Sequence, residues 1–111
     1  MPYSYLSHLR CSKTGEAHDA DQPQQLSRAG APLLASYDLE ALKKAWHPAA
    51  LLGRPASLWR YHELLPVRDP AQVVTPGEGG TPLLPLPTLG KQIGIPDLWM
   101  KDESVIPTGS F

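Results

Sequence analysis

Proline decides what this chain can fold into. Thirteen prolines and nine glycines are spread through its 111 residues, and each proline removes a backbone donor and fixes φ, so long helices and long central strands are excluded. What remains is a set of short elements joined by turns. The two residue types make up roughly a fifth of the chain, below the range of low-complexity sequence, and the length is that of one ordinary domain. Six of the prolines and most of the glycines fall between Pro76 and Gly109, so the composition shifts once, near residue 70.

Charge is balanced, with ten Lys and Arg against eleven Asp and Glu. Neither sign forms a run, which argues against a nucleic acid or an anionic membrane recruited by bulk charge. Apolar stretches such as residues 31–35 and Leu51-Leu52 fall far short of the ~18 residues that span a bilayer. The first ten residues lack a basic region followed by an apolar core and are not rich in arginine, so they read neither as a secretory signal nor as a transit peptide. A cytoplasmic location is the expectation. The single cysteine, Cys11, cannot form an internal disulfide, and the usual three or four thiolates of a structural zinc site cannot be assembled from it.

From Leu9 to Ser36 the chain is polar and broken by Gly15, Pro23, Gly30 and Pro32, which predicts a loop-rich unit with little apolar mass. Asp38 is placed to cap a helix carrying Leu39, Leu42 and Trp46, with Pro48 ending it soon after. A second helix is expected from Ser57 to Leu65, with Leu58, Tyr61 and Leu65 on one stripe and Pro66 as the stop. A third spans Thr88 to Gly94 with Leu89 and Ile93 inward. Asp97 to Glu103 alternates as a strand does, Leu98 and Met100 against Trp99 and Lys101. Such a strand needs a sheet, and little chain is left to supply one. His47, His62 and the three tryptophans read as surface or packing residues, and Glu40 with Lys43 and Lys44 as a solvated helix face.

Two stretches can carry chemistry. Gly77-Glu78-Gly79-Gly80-Thr81-Pro82 invites a phosphate-loop reading, but no Lys-Ser or Lys-Thr pair follows, Pro82 removes an amide and no helix starts at Thr81. Taken alone it is an ordinary turn. The second stretch, Lys101 to Phe111, is a strand running into a Pro107-Thr108-Gly109-Ser110 turn of the kind that starts a helix, where Gly109 permits positive φ and a hydroxyl caps the first amides. A nucleophilic amine on such a first turn sits in the positive field of a helix N-terminus, which holds down its pKa. Taken alone it is a capped helix start.

In this order the two stretches resemble the pyridoxal-phosphate enzymes of the tryptophan-synthase-β-like fold, and among them the threonine synthases. That family carries Gly-Glu-Gly-x-Thr-Pro-Leu, then Lys-x-Glu, then Asn-Pro-Thr-Gly-Ser-Phe-Lys. Gly77 to Leu83 matches the first motif, Lys101 and Glu103 the second, and Pro107 to Phe111 the third. Ser57-Leu58-Trp59-Arg60-Tyr61 with Glu63-Leu64-Leu65-Pro66-Val67 is similar to the segment before the family's catalytic domain. The resemblance implies an α/β fold in three parts: a degenerate zinc-ribbon-like extension over 1–36, a helical linker over 37–70 and the start of a fold-type-II catalytic domain over 71–111.

The resemblance further implies a lyase acting on a small molecule, O-phospho-L-homoserine, to give L-threonine and phosphate, with pyridoxal phosphate as cofactor. It places Thr108, Gly109, Ser110 and Phe111 at the foot of the cofactor and Glu78, Gly79, Gly80 and Thr81 in a loop on the substrate side. No catalytic residue is expected within this chain, because the family's Schiff-base lysine falls immediately after Phe111. The chain is therefore expected to be an inactive N-terminal fragment of a longer enzyme, itself a homo-oligomer and without a nucleic-acid or membrane partner. Two departures stand out. The family's two Cys knuckles read Cys11-Ser12-Lys13-Thr14-Gly15 and Ser27-Arg28-Ala29-Gly30, so zinc is not expected, and neither His8 nor His18 is expected to rescue it. Ile106 replaces a common Asn. A serine or threonine dehydratase and a non-catalytic interaction module are the alternative readings.

Overall fold

The structure is a computed structural model that describes residues 1–109. Its chain is a small α/β arrangement of short helices and a few antiparallel strands. It divides into two units, one made of Met1–Arg54 and Trp59–Val74, the other of Pro55–Leu58 and the stretch from Thr75 onward.

In the first unit, strand β1 (Leu6–Cys11) lies between β2 (Ala17–His18) and β3 (Leu33–Tyr37), all antiparallel. Leu9 pairs with His18 on one side and with Ala35 on the other. The polar stretch that suggested only loops thus folds around a three-stranded sheet. Its glycines supply the turns: Gly15 and Gly30 take φ of +76° and +69°. Among the described residues the buried apolar ones, Tyr5, Leu6, Cys11, Ala31 and Leu42, all lie in this unit.

Helix α1 (Leu39–Ala45) forms where local chemistry demands it. The Asp38 carboxylate accepts from the Ala41 amide at 2.9 Å, Glu40 lies in the first turn, and Lys43 and Lys44 lie in the last, so both ends are matched to the helix dipole. Leu42 is its buried residue. The expected helix over 57–65 is instead a 3₁₀ stretch, Leu58–Leu64, broken at Tyr61 (φ −107°, ψ 30°). The physical reason lies in an interior carbonyl: that of Arg60, which an α-helix would pair with the Leu64 amide, accepts instead from Arg54 Nη1 at 2.5 Å. The end of the stretch is tied to the N-terminal segment, the Glu63 carbonyl accepting from the Tyr5 amide at 2.9 Å and the Leu65 carbonyl from the Ser4 hydroxyl at 2.6 Å.

In the second unit, β4 (Leu83–Pro85) pairs antiparallel with β5 (Trp99–Lys101), with Leu83 opposite Lys101 and Pro85 opposite Trp99. The C-terminal strand therefore has a partner, contrary to expectation, and it is shorter than residues 97–103. Helix α2 (Pro87–Ile93) connects the strands and ends at Gly94 in the left-handed region. Leu89 and Ile93 do not face inward; they are 46% and 54% exposed. The packed face is that of Gly90, which is buried: a Cβ there would stand 2.4 Å from the Ile95 carbonyl oxygen and 3.2 Å from the Leu98 Cβ. Close backbone approach, rather than an apolar stripe, seats this helix. Trp99 is likewise exposed rather than packed.

Candidate functional site

Both stretches with chemical potential lie in the second unit, and the structure joins them. The glycine loop is held from one side by Pro55–Leu58. The Leu58 amide donates to the Glu78 carbonyl at 2.9 Å, and a Cβ on Gly79 would fall 2.0 Å from the Leu58 nitrogen, with φ at +103°. A Cβ on Gly80 would meet the Ala56 carbonyl oxygen at 2.7 Å. Only glycine admits this approach. The Glu78 carboxylate turns inward and accepts from the Thr75 hydroxyl at 2.6 Å, while the Thr75 hydroxyl oxygen accepts from the Gly77 amide at 3.1 Å. Glu78 and Thr81 are each only 8% exposed.

The other end of the loop is held by the strand. The Thr81 hydroxyl donates to Glu103 Oε1 at 2.6 Å, and Lys101 Nζ donates to the Thr81 carbonyl at 2.5 Å. Between them, the Asp102 amide donates to the Pro82 carbonyl at 2.9 Å. Lys101 and Glu103 are two residues apart at the end of a strand, a spacing that puts both side chains on one side of the chain. The sequence offered this signal, although it pointed to no contact with Thr81. Asp102 caps the following 3₁₀ turn (Glu103–Val105). The Ser104 hydroxyl and amide, at 2.5 and 3.0 Å, hold its carboxyl below the usual carboxylate range.

Past this turn the Gly109 amide donates to the Ile106 carbonyl at 3.0 Å, and Gly109 takes φ of +66°. Among the described residues, none beyond its chain neighbours comes within 4 Å of the position a Cβ would occupy there. Ser110 and Phe111, the other two residues expected at the foot of a cofactor, lie outside the described residues.

In the first unit the two segments compared with Cys knuckles close by different turns. The Gly15 amide donates to the Cys11 carbonyl four residues back and the Gly30 amide to the Ser27 carbonyl three residues back, each at 2.9 Å. The Thr14 amide points at Cys11 Sγ (3.3 Å) and the Ala31 amide at Ser27 Oγ (3.2 Å). Cys11 Sγ and the Ser27 hydroxyl are hydrogen-bonded at 3.0 Å, a contact in which the hydroxyl donates once the sulfur is a thiolate. Hydrogen bonds from Ser27, then from Thr14, bring the Cys11 pKa down to about 6 against the opposing cost of enclosure, since they favour the thiolate. Among the described residues, no group of three or more His, Cys, Asp or Glu is placed to hold a metal ion. No helix among them is long and apolar enough to cross a membrane.

Sequence reasoning did not find the buried pair in this unit. Arg54 grips Glu63 with both guanidinium nitrogens, at 2.9 and 2.6 Å, and Arg54 Nη1 also reaches the Arg60 carbonyl at 2.5 Å. The guanidinium holds the Glu63 carboxyl below its usual range, and Glu63 raises the pKa of Arg54 in turn. His62, stacked on Tyr3 with ring centroids 4.0 Å apart, donates through Nδ1 to the Tyr3 carbonyl. It is a packing residue.

Comparison with known proteins gives the same direction throughout. The chain is 40% identical over 102 residues to a threonine synthase of Methanocaldococcus jannaschii, a match covering 92% of this chain and 25% of that protein. It is 38% identical over 108 residues to the threonine synthase of Methanosarcina acetivorans, covering 96% of this chain and 25% of the relative. A threonine synthase of Halalkalibacterium halodurans is 45% identical over 60 residues, half of this chain. The chain thus spans about a quarter of the length of the first two curated relatives it matches. No protein-family model matches it, and no solved structure does.

Proposed function

We propose that this chain, similar along nearly its whole length to threonine synthases, is a portion of an enzyme that converts O-phospho-L-homoserine and water to L-threonine and phosphate in the cytoplasm. The observation that carries the reading is the 40% identity over 92% of the chain. It is supported by the bonds from Thr81 to Lys101 and Glu103, which bring the chain's two motif-bearing stretches into one place.

Thr108 and Gly109, with Ser110 and Phe111, would line the foot of pyridoxal phosphate, a reading supported by the positive φ of Gly109 (+66°), which a tight turn at an anion requires. When bound, the group supplies an electron sink for charge developing on the substrate carbons. Lys101 is not an amine for that purpose, because its ammonium is held against the Thr81 carbonyl. In this reading Glu78 to Thr81 shape the substrate end of the site. Glu78 is a brace: buried and bonded to Thr75, its carboxylate fixes the loop rather than moving a proton. Among the described residues, the Gly79 and Gly80 amides make no hydrogen bond, so they offer donors for an anionic substrate group. The Thr81 hydroxyl proton is committed to Glu103, which leaves its oxygen as an acceptor.

The test is to express the longer protein that carries this chain, load it with pyridoxal phosphate, and measure phosphate and threonine formed from O-phospho-L-homoserine. Equimolar release of the two is the expected result. Turnover of serine or threonine to ammonia and a keto acid, with none of phosphohomoserine, would assign it to the dehydratases instead.

A further inference from the structure

We propose that Glu103 is a positioning residue, which acts through Thr81 to fix the substrate-side loop in register with the turn at Thr108 and Gly109. The proposal rests on the functional reading above and adds to it a residue whose role the motifs leave open.

The loop that ends at Thr81 is intrinsically loose. Gly77, Gly79 and Gly80 all have positive φ, and glycine loses more backbone freedom on ordering than any other residue. Something must therefore hold Thr81, and two of its bonding groups are held by the same short segment: its hydroxyl by Glu103 at 2.6 Å and its carbonyl by Lys101 at 2.5 Å. The Glu103 bond is charge-assisted, which roughly doubles its strength over a neutral one. From Glu103 the connection runs forward without a gap. The Glu103 carbonyl accepts from the Ile106 amide at 3.3 Å, and the Ile106 carbonyl accepts from the Gly109 amide at 3.0 Å. One residue thus ends the loop with its side chain and begins the turn with its backbone. A shift of Glu103 moves both, and a misplacement of about 1 Å at a reacting centre can cost about 100-fold in rate.

The experiment compares Glu103→Ala, Glu103→Gln, Thr81→Val and Thr81→Ser in the longer protein by steady-state kinetics and by amide hydrogen exchange without cofactor. Glu103→Ala and Thr81→Val are each expected to lower kcat by about 100-fold with KM changed far less. Their double variant should be no worse than either alone, because the two residues form one bond. Thr81→Ser and Glu103→Gln, which keep a donor and an acceptor, should recover most of the loss. In exchange, Glu103→Ala and Thr81→Val should speed the amides of both 77–81 and 104–109. Faster exchange on one side only, or multiplicative kinetic losses, would overturn the proposal. If the unsubstituted protein forms no threonine, the functional reading fails by itself, and the exchange data still decide whether Glu103 couples loop and turn.

Discussion

Arg54→Met is the substitution with the most calculable consequence. Glu63 is 2% exposed, and its carboxylate is held by two parallel guanidinium bonds at 2.9 and 2.6 Å. Methionine conserves much of the packing volume but removes both guanidinium bonds and leaves the enclosed carboxylate only His62 Nε2, at 3.6 Å, as a basic neighbour, a loss of about 3–5 kcal/mol. With an m-value of about 1 kcal/mol per M for a unit this small, the urea midpoint falls by about 3–5 M, which removes the folded baseline. The assay is urea titration at neutral pH of a Trp99→Phe background, so that fluorescence reports Trp46 and Trp59 in the first unit. The sign of the pH dependence is fixed by the direction of the shift. Glu63 has a depressed pKa when folded, so its contribution is present above the ordinary carboxylate pKa and is lost as pH falls through the folded value. In the variant, burial without Arg54 pushes that pKa up, so the deficit relative to the parent shrinks on acidification as the carboxyl becomes neutral. Adding Glu63→Leu should restore most of the stability, since a buried pair can be exchanged for apolar residues at little net cost. A loss below about 1 kcal/mol that does not vary with pH would refute the reasoning, because it would be the behaviour of a solvated pair.

Gly79→Ala should break the Leu58 to Glu78 bond, because its Cβ has backbone atoms of Ser57 and Leu58 within 2.8 Å. Gly77→Ala has open space and should cost only the ~1–2 kcal/mol of left-handed backbone; exchange of the Leu58 amide, fast in the first and unchanged in the second, checks the contrast. Thiolate absorbance of Cys11 should titrate with a midpoint near its pKa of about 6, and Ser27→Ala should move it up. Because the folded pKa is depressed, this thiol favours the folded state as pH rises above that value and ceases to do so below it. A midpoint in the ordinary thiol range of about 8.5 would contradict the bonded arrangement.

What the sequence reveals here is what is decided locally. Helix α1 was legible because Asp38, its own cap, stands next to the residues it caps. The helix after Leu86 was legible in place but not in facing, since Leu89 and Ile93 suggest an apolar stripe while the close contact of Gly90 with Ile95 and Leu98 sets the orientation. Residues 58–64 have a helical period that gives way where the Arg54 side chain takes the Arg60 carbonyl, and no periodicity contains that. The pairing of β4 with β5 was hidden for a related reason: Pro85 inside a three-residue strand does not read as strand at all. Of the site, the residue types and their order were visible, whereas the bonds among Thr81, Lys101 and Glu103 depend on a hairpin closing across the intervening helix.

The distribution of apolar burial explains why those bonds matter. Among the described residues, all the buried apolar side chains belong to the first unit, while in the second Leu83, Leu89, Ile93, Ile95, Trp99 and Val105 are exposed and the buried residues with functional groups are Glu78 and Thr81. A two-stranded ladder is marginal without a face packed against something else. Within these residues, then, the glycine loop and the turn are held together by hydrogen bonds rather than by a core. Each such bond contributes about 1 kcal/mol, more when charged, so removing the carboxylate of Glu103 takes away a large fraction of what keeps Thr81 in position. The same substitution on a loop seated over a packed apolar core would be absorbed.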